Sequence, residues 1–107
     1  MEIRELQRLI YEYGKGKGFH DNDPTADEIW EQGCDIIPRW LMNVVSELGE
    51  AHEAFRCDDR LNFAEELADA VLRILDDCET LGIDLEAEII AKMEKNKQRP
   101  HMHGKKC

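Results

Sequence analysis

Glu47, Glu50 and Glu53 recur every three residues within SELGEAHEAF, inside an otherwise apolar-periodic run, and Glu66 and Asp69 repeat that step in the next such run. Glu47 and Glu50 flank an apolar stripe of Leu41, Val44, Leu48 and Phe55. Glu66 and Asp69 bear the same relation to Phe63, Leu67, Ala70 and Ile74. Two antiparallel helices packed through those stripes would bring the four carboxylates together. Glu53, Asp76, Asp77 and Glu79 read instead as solvated helix surface, where acids at this spacing are common.

A convergence of four carboxylates has a definite chemistry. Two of them about 4 Å apart repel by about 4 kcal/mol at an effective dielectric near 20, so the group needs protons or a cation. Oxygen donors without imidazole or thiolate favour Mg2+, with Mn2+ as a substitute, and magnesium characteristically keeps positions for water and substrate phosphates. A di-iron carboxylate bundle would require Glu-x-x-His on each of two helices. His20, His52, His101 and His103 are preceded at three residues by Lys17, Gly49, Gln98 and Pro100, so that architecture is excluded.

The complement to this acid is at the end of the chain. Residues 1–91 hold 23 acids against 8 Lys and Arg, a charge of −15, whereas residues 92–107 carry +5. Lys92, Asn96 and Arg99 follow at steps of four and three, the spacing of one helix side, and suit phosphate and sugar oxygens. Arg73, one turn beyond Asp69, could also reach phosphate, although an ion pair with Glu66, Asp69, Asp76 or Asp77 is its simpler role. A base would need an apolar or aromatic wall, for which Phe19, Trp30 and Trp40 are candidates, with His20 nearby; Trp40 is equally a core residue.

The elements that must position these groups are helices. Ile3, Leu6, Leu9, Ile10 and Tyr13 mark a first helix ending at Tyr13, where GKGKG forms a connector; its spacing is not that of a phosphate-binding loop. Thr25 and Glu28 form a capping box for a short helix after Pro24. A long helix is expected from Pro38 to Phe55, a tight turn at CDDR, and a second long helix capped by Asn62 with Glu65 and ending near Gly82. Asp84 caps a last helix with Leu85, Ile89, Ile90 and Met93, which Pro100 terminates or follows. No segment alternates with period two. The expectation is one all-α domain over 1–107, a helical bundle of about four main helices around a central antiparallel pair, with a basic tail from about 97.

At 107 residues a single core is near the size at which oligomerisation supplies part of the burial, so a homodimer or homotetramer is expected. No apolar run approaches the roughly 20 residues of a membrane span, and the N-terminus lacks the apolar block of a secretory signal. Cys34, Cys57, Cys78 and Cys107 are far apart and form no C-x-x-C pair, in keeping with reduced thiols in a cytoplasm. The acidic body argues against a nucleic-acid polymer as partner.

The run SELGEAHEAF…FAEELADAVLRILD…LGIDLEAEIIAKMEKNKQRPHMHGKK resembles the MazG-like branch of the all-α nucleoside triphosphate pyrophosphohydrolases. The resemblance spans Leu41 to Lys106 and rests on the E-x-x-E and E-x-x-D pairs, LGIDLE, and K-x-x-x-N-x-x-R-P…HGKK in that order. It implies magnesium-dependent cleavage of a nucleoside triphosphate between the α- and β-phosphates, in a dimer or a dimer of dimers. Carried over by motif, Glu47, Glu50, Glu66 and Asp69 hold the metal, and Lys92, Asn96 and Arg99 grip the triphosphate. A glutamate of the first motif, Glu47 or Glu50, takes the proton of the attacking water. Phe19 falls in the region that shapes the base pocket of similar proteins. The chain departs from the pattern at Ser46, where members often carry a second adjacent glutamate. Two other readings stay open: a phosphoribosyl-ATP pyrophosphohydrolase-like enzyme, and a helical regulator that binds metal or nucleotide without turnover.

Overall fold

The computed structural model describes residues 1–32 and 35–99. Five helices follow one another: α1 (Ile3–Gly16), α2 (Ala26–Gln32), α3 (Ile36–Arg56), α4 (Arg60–Thr80) and α5 (Leu85–Lys97), with no strand among the described residues. The all-α bundle expected from the apolar periodicity is therefore present, with α2 as a short fifth member. Among the described residues no helix is long and apolar enough to cross a membrane. Cys34, Cys107 and the tail from Pro100 onward lie outside the described residues.

Helices α3 and α4 pack most extensively, α1 lies along α4, and α5 meets α1. The turn between α3 and α4 is short because Asp58 adopts a left-handed φ of 56° and the Asp59 amide donates to the Ala54 carbonyl at 2.8 Å. The caps were partly legible. Thr25 Oγ1 accepts from the Glu28 amide at 3.2 Å, and Asp84 Oδ1 accepts from the Ala87 amide at 3.2 Å. At α4, however, Asp59 is the cap, accepting from the Asn62 amide at 3.1 Å, in place of the expected Asn62–Glu65 box. Asp59 stands at the turn three residues before that amide, and its negative charge suits the free N–H groups of a helix start. Helix α3 starts at Ile36, so that Pro38 sits within its first turn, where a missing N–H costs no helical bond.

Helix α1 runs through Gly14 and Gly16 instead of stopping at Tyr13. Gly14 is buried against His20: a Cβ there would stand 3.3 Å from Nε2 of the imidazole. Close approach of a side chain, not chain flexibility, is the reason for this glycine. The buried residue of α1 is also unexpected. Gln7 is fully enclosed, donating from Nε2 to the Ile83 carbonyl at 2.7 Å and to Glu79 Oε1 at 3.0 Å, and accepting at Oε1 from the Leu85 amide at 3.4 Å. Arg4 adds a 2.6 Å ion pair to Glu79. These bonds staple α1 to the turn between α4 and α5, while Leu9 and Tyr13 of the expected stripe face outward.

The contact within the central pair is rotated from the sequence reading, although Ala70 is in the seam as expected. Leu41, Leu48 and Phe55, expected at the contact between α3 and α4, are 48–70% exposed, as are large parts of Phe63, Leu67 and Ile74. The seam is made of Glu47, Ala51 and Ala54 on α3, at steps of four and three, with Glu66 and Ala70 on α4. Alanine permits close approach of the two backbones. The carboxylates then lie in the seam, and the larger apolar side chains are left on its outer side.

Candidate metal and nucleotide site

The inner face of α3 carries Trp40, Asn43, Glu47, Ala51 and Ala54 at steps of three and four. The facing side of α4 carries Asp69, Arg73 and Asp77 at steps of four. Helix geometry therefore sets two polar groups side by side along one seam: an acid cluster toward the turn, and an open cavity toward the other end.

In the acid cluster, one carboxylate oxygen each from Glu47, Glu66 and Asp69 lies within 4.8 Å of the others. Glu47 is buried at 9% exposure, and Oε2 of Glu66 is sealed from solvent with no hydrogen-bond donor among the described residues. The polar neighbours of Glu66 are Glu50 first and Glu47 second, and together with burial they push its pKa up to about 7. Glu47 moves the other way. The Arg73 guanidinium, whose Nε donates to Glu47 Oε1 at 2.8 Å, holds its carboxyl below the usual range, and the neighbouring Glu66 carboxyl adds to the effect.

A sealed carboxylate oxygen that meets only other carboxylates is a poor protein-only arrangement. It becomes a good one with a hard cation, since the donors are all oxygen and converge from two helices. The residues present thus fit Mg2+ or Mn2+. Glu50 stands beside Glu66 but outside the closely grouped three, and its side chain is exposed. Glu53 faces solvent as expected, paired with Arg56 at 3.5 Å.

The remaining predicted residues are distributed unevenly. Arg73 pairs with Glu47, not with any of the four acids expected for it, because the inner face of α4 points across the seam instead of along its own helix. Lys92, Asn96 and Arg99 are exposed on α5 and just beyond it, and make no ion pair or side-chain hydrogen bond with the acid cluster among the described residues. Phe19, also exposed, is brought to the seam, where it lines a cavity together with Trp40.

That cavity has a volume of about 420 Å³, and its wall includes Phe19, Trp40, Asn43, Arg73, Asp76 and Asp77. One corner is fixed by His20. Its Nδ1 meets Asp23 Oδ2 at 2.5 Å, its Nε2 meets Asp76 Oδ1 at 2.9 Å, and its ring stacks on Tyr11 with centroids 4.4 Å apart. Burial opposes charge on the imidazole, but the hydrogen bonds to Asp23 and Asp76 outweigh it, and the pKa is raised. Carboxylates accept at both ring nitrogens, so the imidazolium, with two N–H donors, is the matching form. Asp77 has no such partner among the described residues; burial first, and the charge of Asp76 second, push its pKa up to about 6.

Asp76, Asp77 and Glu79 are therefore not the solvated surface expected of them. Asp76 and Glu79 tie α4 to His20 and to α1, across 56 and 72–75 positions of sequence. Such pairings leave no local signature. The cavity residue Asn43 did have one: it precedes Glu47 by four, as Asp77 follows Arg73 by four, a polar stripe with the same period as the apolar one. Comparison of the chain with protein-family models, with curated proteins and with solved structures gives no match, so the site stands on its own geometry.

Proposed function

We propose that the chain is a magnesium-dependent nucleotide pyrophosphohydrolase that converts a standard or damaged (d)NTP to the monophosphate and pyrophosphate. The observation that supports it is the sealed Oε2 of Glu66 in a three-carboxylate group, one turn of helix from an arginine that borders an aromatic-walled cavity. Glu47, Glu66 and Asp69 would hold the ion. When bound, it supplies positive charge to phosphoryl oxygens and lowers the pKa of a coordinated water.

The protein groups have separate tasks. The carboxylate of Glu50, beside the cluster but exposed, accepts the proton of the attacking water as its oxygen bonds to the α-phosphorus. The bond from that phosphorus to the bridging oxygen breaks, and pyrophosphate leaves with the bonding pair. Arg73 offers its guanidinium to phosphate oxygens from the middle of the seam.

Lys92, Asn96 and Arg99 would meet the leaving pyrophosphate from a second copy of the chain. The outward Leu41, Val45, Leu48, Leu67 and Val71 form the face for that copy, since burial of apolar surface of this kind drives association. The proposal is therefore a homodimer or homotetramer in a cytoplasm.

The test is a panel of nucleotides with Mg2+, with products identified and the number of copies measured by sedimentation equilibrium. Monophosphate plus pyrophosphate is expected. Orthophosphate, or no product from any triphosphate, overturns the reading; release of pyrophosphate from phosphoribosyl-ATP alone would place the chain with that narrower hydrolase.

A further inference from the structure

We propose that the cavity beside the acid cluster receives the base, and that Asp77 with Asn43 selects a base carrying an exocyclic amino group over its keto counterpart. This deepens the nucleotide reading above and rests on it.

The cavity, of about 420 Å³, is of the size of small-molecule sites and has two aromatic walls, Phe19 and Trp40, that match the π-face of a base. Its position along the seam fits a nucleotide. From Asp69 in the acid cluster to Asp77 in the cavity is eight residues of α4, about 12 Å at 1.5 Å per residue, with Arg73 midway. A base at Asp77 therefore directs the phosphates past Arg73 toward the carboxylates that would hold the ion.

Selectivity follows from which polar groups in the wall are already used. His20 occupies Asp76 Oδ1 and Asp23 Oδ2. Arg73 is near Asp77 but gives its Nε–H to Glu47. Asp77 and Asn43 make no side-chain hydrogen bond among the described residues. An ionised carboxylate only accepts, so it binds an amino group and repels a carbonyl oxygen in the same place. The Asn43 amide carries both a donor and an acceptor, and its N–H₂ can meet the ring nitrogen beside that amino group. Asp77 is half-buried, and burial with the charge of Asp76 disfavours its ionised form; a donor from a ligand would offset both.

Matched pairs test this. kcat/KM for pyrophosphate release is measured for dCTP against dUTP and for dATP against dITP, pairs that differ in the amino or keto group and its neighbouring ring nitrogen. In each ring class that is turned over, the amino member should lead by about 10- to 100-fold, the range of a hydrogen bond to a charged group. Asp77→Asn, nearly isosteric, should reduce that ratio to near one or invert it, with far-UV circular dichroism unchanged. Equal or faster turnover of the keto member, or an unchanged ratio in Asp77→Asn, overturns the proposal. Binding of dCMP and dUMP without metal, followed by the indole signal of Trp40 in nuclear magnetic resonance, separates the two levels of failure. If no triphosphate is cleaved but dCMP shifts Trp40 and dUMP does not, the reaction is wrong and the base site stands. If neither shifts Trp40, the base site is wrong whatever the turnover.

Discussion

Two acidic clusters lie two turns apart on α4, and they are resolved differently. Around Asp76 the negative charge is matched from within the protein, because His20 bridges Asp76 to Asp23 and stacks on Tyr11. Around Glu66 and Asp69 it is left open. Arg73 serves Glu47 alone, and the sealed oxygen of Glu66 has no donor among the described residues. Burial does not distinguish the two clusters; the balance of donors and acceptors does. A satisfied acidic cluster reads as structure, whereas one with charge in excess, on a converging oxygen frame, reads as a place for something the chain does not itself supply.

The largest way to break that comparison is catalytic. Asp69→Asn and Glu50→Gln should each lower pyrophosphate release by about 100-fold or more, the scale of a lost general base or charge-stabilising group. Helicity by circular dichroism should be retained. Activity within a few-fold of the parent would remove these residues from the site.

Stability gives the next test. His20→Ala strands two partly buried carboxylates and should cost about 1–3 kcal/mol in urea denaturation. Glu66→Gln should leave the midpoint unchanged or raise it, because it removes charge from a group already in excess. Equal losses in both variants would erase the distinction between the closed and the open cluster.

The smallest effect is a slope with pH. Glu66 has a folded pKa of about 7 against 4.5 for the free side chain, so the native state binds the extra proton and metal-free stability falls as pH rises from about 4.5 to about 7. Asp77, at about 6 against 3.8, acts in the same direction over a lower window. The raised pKa of His20 contributes stability that is complete below 6.5 and lost as pH rises through its folded value. Thermal melts from pH 4.5 to 8, with and without Mg2+, should show the cation recovering the loss near pH 7. In Glu66→Gln that recovery should be absent or much reduced; full recovery there would place the cation elsewhere.

Helix positions and the pairing of E-x-x-E with E-x-x-D were legible in the chain because both follow from local period and local capping. The face that turns inward was not. Leu41, Leu48 and Phe55 form the stronger apolar stripe, yet the close contact uses Ala51 and Ala54, since a seam that holds carboxylates needs small neighbours and the larger residues are left outside. The burial of Gln7 and the pairing of His20 with Asp76 were missed for another reason. Both depend on partners 56 or more positions away, and a polar residue carries no mark of a distant partner. Gly14 looked like a helix stop because propensity was the only visible term; the approach of His20 was the larger one.

The staple at Gln7 has a mechanical side. Helix α5 has no fully buried residue, and its first turn is tied to α1 through the Leu85 amide at Gln7 Oε1 and through Glu86, whose Oε1 accepts from the Arg4 amide at 3.3 Å. From Leu85 to Lys97 is about 18 Å of helix at 1.5 Å per residue. The element is a cantilever with a clamped root and a charged tip. A rotation of about 10° at the clamp would carry the tip about 3 Å, from the same helical rise, so a change in these two hydrogen bonds on one side of the protein would set the reach of the cationic end.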